Sequence, residues 1–427
     1  MLKHFKQHTL QLGIATAAML GSLSAQAVTV ESGRGNILLF PVYTTEQGWD
    51  SYLNIQSPHG FARIVFRDAE SGTVVRSFNV YNSSVWRASL SQQAGGTTLR
   101  VAEGSCLVHE DGFVEGAGAE IQIGASVGMV EVYSEGDAES GNFVEWENIR
   151  SLSCSTISGR WGPGGSWSAN APSIGYPSTL TGEMILINVQ RGLAAQYIPV
   201  GLNRFNAGLP HTAPSSAHPN LTDARPRLNS FDPPLWGDVT PAEGLELVAD
   251  ALRASSLTND VTLLDSVDAR TDWIISYPLQ GYGYTKPYQV TLNGVQRYCD
   301  TFGLPAKAGR PSVTLVPAVQ TGMLISSAGT DSQVSNASPE ADVSLCNAVN
   351  FVAFGDKQSW LADEQSSLLN RIPADLLVGQ SNRVKWTMAQ PQPVVAFRLT
   401  TLVNGMLSGG SVLANYAVMQ QHQTQNP

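Results

Sequence analysis

Between Phe61 and Tyr81 the apolar and polar positions alternate with the period of a β-strand. Ala62, Ile64 and Phe66 take one side, and Arg63, Val65 and Arg67 the other. After Asp68-Ala69-Glu70-Ser71-Gly72 the alternation resumes in Thr73–Tyr81, with Val74, Phe78 and Val80 on one face. A period of two on both sides of a Gly-containing turn predicts a half-buried antiparallel hairpin. Ile37-Leu38-Leu39-Phe40-Pro41-Val42-Tyr43 is nearly continuous in apolar residues and predicts another strand. Tyr52–Ile55, Glu120–Ile123 and Gly128–Tyr133 add further short strands. Strands at this spacing imply a sandwich.

The pattern changes at 158–180, where Ser158-Gly159-Arg160-Trp161-Gly162-Pro163-Gly164-Gly165-Ser166-Trp167 cannot hold a regular ladder. This stretch is read as a linker or long loop. Strand-like runs restart at Met184–Val189 and Gln196–Val200. A Pro-rich loop over 203–240 follows, of the kind that is either disordered or functional. Thr240-Pro241-Ala242-Glu243 then supplies a cap, a first-turn proline and an N3 glutamate. That order predicts a helix over about 241–255, with Leu245, Val248, Ala249 and Leu252 on one face. Later strands are expected at Asp272–Pro278, Val313–Val316, Asn350–Phe354, Val394–Leu399 and Val412–Met419, with a short helix near Glu364–Leu369. The expected fold is mainly β, with two sandwich-like (immunoglobulin-like) domains at 28–157 and 181–427 and one or two short helices in the second.

The N-terminus carries its own pattern. Lys3 and Lys6 precede an apolar stretch from about Leu10 to Leu23, which closes on Ala25-Gln26-Ala27. A positive start, a short apolar core and a small-x-small exit predict a secretory signal peptide at 1–27. Its removal takes the formal charge from −10 to −12. An acidic chain argues against nucleic acid and anionic membranes as partners, since phosphate binding needs clustered Lys and Arg. No later apolar run reaches membrane-spanning length. Charged residues make up only 14%, beside 40 glycines and 23 prolines, a balance that suits a turn-rich extracellular β protein. Export also explains an even cysteine count. Cys106, Cys154, Cys299 and Cys346 read as two disulfides, and three pairings are open. Neighbours in sequence favour Cys106–Cys154 and Cys299–Cys346. No pair has the short spacing of a zinc site.

Four blocks carry a resemblance: Gly35–Tyr43, Val65-Phe66-Arg67-Asp68-Ala69, Asp272-Trp273-Ile274-Ile275-Ser276-Tyr277-Pro278, and Cys346-Asn347-Ala348-Val349-Asn350-Phe351. Together they resemble a group of exported, surface-associated Gram-negative proteins of unassigned function. The resemblance implies export and carries no catalytic residues.

Candidate chemistry is sparse. Gly124-Ala125-Ser126-Val127-Gly128 fits the G-x-S-x-G pattern of a nucleophile elbow, which requires a strand turning into a helix. Here a strand-like alternation follows, so Ser126 is a weak catalytic candidate and reads better as a turn residue. His59, His109, His211, His218 and His422 lack metal-pair spacing. His211 and His218 share the Pro-rich loop and read as surface residues. No nucleotide fingerprint or EF-hand loop is present, and no metal or cofactor is expected. Trp161 and Trp167 are candidates to stack on sugar rings, against the plainer reading of anchors that pack the linker on a domain. A glycosidase carboxylate pair would be a matter of distance, which a sequence does not give. The expected function is therefore a non-enzymatic surface or extracellular protein, structural or adhesive, whose partners are itself, the cell envelope or glycans. A carbohydrate-binding protein is the first alternative and a secreted hydrolase the second. The expected location is extracellular or on the cell surface, with the periplasm as the other compartment open to an exported chain.

Overall fold

The computed structural model describes residues 28–58, 60–81, 85–102, 105–116, 118–135, 153–168, 179–206, 209–228, 235–284, 345–372, 383–403 (side chains at 387, 389 and 390 excepted) and 415–425. It also describes the backbone alone at 288–292, 295–302, 313–316, 343–344, 381–382, 406–407 and 412–413. The expected signal peptide lies outside the described residues.

Two antiparallel sheets form the first sandwich. One has eight strands in the order β1 (Thr29–Ser32), β15 (Val200–Asn203), β3 (Ile37–Thr44), β12 (Val127–Ser134), β5 (Phe61–Asp68), β6 (Val74–Tyr81), β9 (Cys106–His109) and β10 (Gly112–Glu115). The other runs β11 (Glu120–Gln122), β8 (Gly96–Val101), β7 (Val85–Gln93), β4 (Asp50–Gln56), β13 (Leu180–Asn188) and β14 (Leu193–Tyr197), with β2 (Arg34–Gly35) paired to β13. The hairpin read from the alternation is β5–β6, with Ile64 opposite Phe78. Ile64 and Phe66 enter the core with Phe78 and Val80, but so does Val65 from the other face: β5 is covered on both sides rather than half-buried, and Val74 of β6 is exposed.

The sequence places every strand after residue 180 in a second domain. The first three of them pair instead into the first two sheets: β13 on β4, β14 on β13, and β15 between β1 and β3. The stretch read as a linker begins inside a helix, α1 (Cys154–Trp161), capped by the Ser153 hydroxyl on the Thr156 N–H at 3.3 Å. The Cys106–Cys154 disulfide fastens α1 to β9.

A second helix, α2 (Pro241–Leu252), carries the expected capping box: Thr240 accepts from the Glu243 N–H, and Glu243 returns to the Thr240 N–H. The chain then builds a five-stranded sheet, β23 (Leu369–Ile372), β22 (Val349–Phe354), β17 (Arg270–Ser276), β25 (Val395–Leu402) and β28 (Tyr416–Gln421). A four-stranded sheet contains β20 (Val313–Val316), β24 (Ser381–Pro393), β16 (Arg253–Thr262) and β29 (Gln423–Gln425). Smaller pairings are β18 (Tyr288–Leu292) with β19 (Val295–Phe302) and β21 (Val343–Leu345), and β26 (Met406–Leu407) with β27 (Val412–Leu413). The short helix expected near 364–369 is a run of turns leading into β23. There the Asp363 carboxylate takes the Gln365 N–H at 3.0 Å, and the Asp363 carbonyl takes the Ser366 N–H at 3.0 Å. Such local bonds compete with helix.

Cys346 is disulfide-bonded. Asp300 pairs with Leu345, which brings position 299 across from 346 in the backbone. The Cys299 side chain itself lies outside the described residues.

The sheet around β17 is buried on both faces. Trp273 and Ile275 face one core with Trp386 and Phe354, while Ile274 belongs with Phe351 and Phe397 to the core of the first sandwich. Tyr197 of β14 meets Phe397 at 5.2 Å between ring centroids. A strand covered on both sides reads as a continuous apolar run, which accounts for Trp273-Ile274-Ile275. The two halves of the chain thus share one hydrophobic core.

Candidate ligand cleft

At the junction of the halves lies a cleft of about 910 Å³. One wall is the β3–β4 turn. Gly48, at φ 80°, takes the left-handed backbone the turn needs, and Gln47, at φ 54°, takes it without being glycine. The Gln47 carbonyl is held by the Asn188 amide at 2.9 Å and by the Arg191 guanidinium. Behind the turn, the buried Trp49 donates its indole N–H to the Trp360 carbonyl at 2.7 Å. Arg191 and Arg270 both lie over the Trp360 ring, at 3.9 and 4.0 Å from its centroid. Trp360 therefore ties the turn to the second sandwich.

The opposite wall is the turn segment with Asp363, Gln365 and Ser366; Gln92, Ser126, Val189 and Gln190 complete the lining. Ser126 donates to Glu46 Oε1 at 2.6 Å. Gln92 accepts from Thr45 at 3.1 Å and from Thr97 at 3.4 Å through its carbonyl oxygen, which points its amide N–H₂ group elsewhere. Asp50 is half-buried, makes no hydrogen bond or ion pair among the described residues, and has its pKa raised by burial. No Lys, Arg or His lines the cleft among the described residues.

Of the residues singled out by sequence, Ser126 is here. It leads directly into β12 rather than into a helix, so the elbow geometry is missing. Its partner is a carboxylate, and no imidazole among the described lining residues could serve as general base. Trp161 and Trp167 are elsewhere and are buried, which removes the sugar-stacking reading and matches the anchor reading. They pack edge-on against Phe61 at 5.7 and 5.5 Å beneath α1.

His211 is also corrected: it is fully buried rather than on the surface. Trp167 stacks on it at 4.8 Å, and its Nδ1 lies 3.2 Å from both the Trp161 indole nitrogen and Glu135. His218 keeps its expected exposure, beside Asp223 at 2.9 Å. His422 is buried against Trp273, and burial holds its pKa down at about 3.

A buried polar row was missed. On the outer side of β5 and β12, Arg67 Nε meets Glu131 at 2.6 Å, and Tyr133 and Tyr282 donate to the other Glu131 oxygen at 2.7 and 2.9 Å. Burial works against the Arg67 charge, but Glu131 and the two tyrosines more than offset it and raise its pKa. Arg63 donates to the carbonyls of Ala213, Pro214 and Ser216. The Pro-rich loop therefore covers this guanidinium and takes up its two terminal nitrogens, with Tyr282 at the neighbouring end. The only hint in sequence was its length. Arg63, Arg67, Glu131 and Tyr133 are all buried, and the row reads as structural.

No group of three or more His, Cys, Asp or Glu among the described residues is placed to hold a metal ion. No helix among them is long and apolar enough to cross a membrane. No family model, curated protein or solved structure matches the chain.

Proposed function

We propose that this chain is an exported, non-enzymatic protein of the cell surface or extracellular space, adhesive or structural in role, which holds its target in the cleft. The observation that carries the reading is the lining itself. Both halves contribute amide, hydroxyl and carboxylate groups; of the two lining serines, Ser126 is paired with an acid instead of a base, and Ser366 accepts the Leu368 N–H. Such a surface can recognise a ligand through hydrogen bonds but lacks the nucleophile–base pair that acyl transfer needs. The signal-like N-terminus, the disulfide and the resemblance to exported Gram-negative proteins support the location.

The test uses purified protein in two assays. It should bind isolated cell envelopes or self-associate, and it should turn over nothing in a panel of glycoside, ester and peptide substrates. Hydrolysis that disappears in Ser126→Ala or Asp50→Asn would replace this reading with the hydrolase one.

A further inference from the structure

We propose that the cleft binds a short glycan segment bearing free amino groups. This rests on the reading of the cleft as a binding site and names its ligand class. The volume, about 910 Å³, is at the upper end of what small-molecule sites enclose, about 300–1,000 Å³. It suits an oligomer better than a single ion.

The carboxylates support the same choice. Glu46 and Asp50 come from one wall and Asp363 from the other, and among the described residues no three acidic groups converge on a point where a metal could sit. Charges spread along a cleft match charges spread along a chain. The Asp50 carboxylate is half-buried and has no partner among the described residues, so its desolvation is left for a cation to offset. The Arg191 guanidinium, which holds the β3–β4 turn, is committed to the Gln47 carbonyl and the Trp360 ring and is not part of the lining.

The remaining groups point to a sugar rather than a basic peptide. Gln47, Gln190 and Gln365 each carry a donor and an acceptor in one plane, the arrangement that adjacent hydroxyls of a pyranose engage together, while Gln92 brings only its amide N–H₂, its oxygen being taken by Thr45 and Thr97. Ser366 adds a hydroxyl. Val189, 75% exposed, is the apolar contact at the rim. Trp49 is buried and offers no ring face, so stacking contributes little and charge pairing contributes much. Binding should therefore weaken steeply with salt.

The experiment is calorimetric titration of the full chain, without its signal segment, at low salt. The probes are a tetramer of β-1,4-linked glucosamine, its fully N-acetylated counterpart, cellotetraose and tetralysine. The glucosamine tetramer should bind about tenfold or more tightly than the acetylated and neutral sugars, a difference of about 1.4 kcal/mol. Asp50→Asn and Asp363→Asn should each weaken it about tenfold, and Gln190→Ala should weaken all three sugars alike. Unchanged melting temperatures will show that the variants fold.

Equal affinity for the acetylated tetramer, or indifference to both Asp substitutions, would overturn the charge assignment. Tetralysine binding as tightly as the glucosamine tetramer would overturn the glycan assignment in favour of a basic peptide. If no probe binds while the protein still binds envelopes or self-associates, this inference fails and the surface reading stands. Cleavage of the tetramer would instead sink the non-enzymatic reading while leaving the ligand class intact.

Discussion

Asp272 shows what a single residue can reveal and conceal. An acid at the head of Trp273-Ile274-Ile275 is visible in the sequence as an oddity, yet nothing local says that it is buried. In the fold it is 2% exposed and accepts the Trp360 N–H at 3.2 Å. Burial, only partly opposed by that bond, the Ser359 hydroxyl, Arg371 and Arg270, raises its pKa to about 6 from 3.8. The folded state therefore holds this proton more tightly than the unfolded one. The resulting stabilisation is complete below about pH 4 and is lost as pH rises through 6, a swing of up to about 3 kcal/mol. Asp272→Asn should raise the melting temperature at pH 8 and change it little at pH 4; equal shifts at both pH values would contradict this origin. Glu131 gives a second case. Glu131→Gln leaves the Arg67 charge buried without its partner and should cost about 3–5 kcal/mol in denaturant unfolding. An Arg67→Met, Glu131→Leu pair should recover most of that. Neither Arg67 nor His211 could be read as buried from sequence, because the residues that cover them are far along the chain.

Among the elements, those with local causes were legible. The β5–β6 hairpin follows from alternation, and α2 from Thr240, Pro241 and Glu243, which act within one turn. α1 was not legible, since Ser155-Thr156-Ile157-Ser158-Gly159 is poor helix sequence. It persists because Ser153 caps it, Ile157 and Trp161 bury their side chains, and Cys154 is bonded to β9. Replacing both Cys106 and Cys154 by Ser opens a loop closed over a sequence separation of 48 residues. By chain entropy this should cost about 4 kcal/mol. Tryptophan emission should shift to the red as Trp161 and Trp167 lose their cover, before the global melt. Coincident transitions would mean that α1 is held by packing alone. The expected helix near 364–369 went the other way: Asp363 diverts the backbone into turns, and those turns supply one wall of the cleft.

At the scale of the molecule, the mainly β class and the sandwich character were readable from spacing and turns, while the partition of strands was not. A Gly-rich stretch looks like a boundary, but pairing across it is decided by register and by apolar surface elsewhere. Ser276 donates to the Pro41 carbonyl at 2.7 Å, and the Ala348 and Val349 N–H groups bond the Glu70 and Ala69 carbonyls at 3.0 and 2.8 Å. With a core shared in this way, calorimetry should show one cooperative transition for both halves; two resolved peaks would mean that the junction is weak. The place of β3 has a further consequence for how the chain reaches this state. Its neighbours are β12 and β15, with Phe40 opposite Val130 and Leu39 opposite Val200. Contacts so distant in sequence make folding slow, because the loop must close before any pairing repays it. The earliest strongly apolar strand of the described chain, Ile37–Tyr43, therefore waits for residues near 130 to cover one edge and for residues near 200 to cover the other. During that interval it is the segment most exposed to aggregation, and the one a holding chaperone would need to grip.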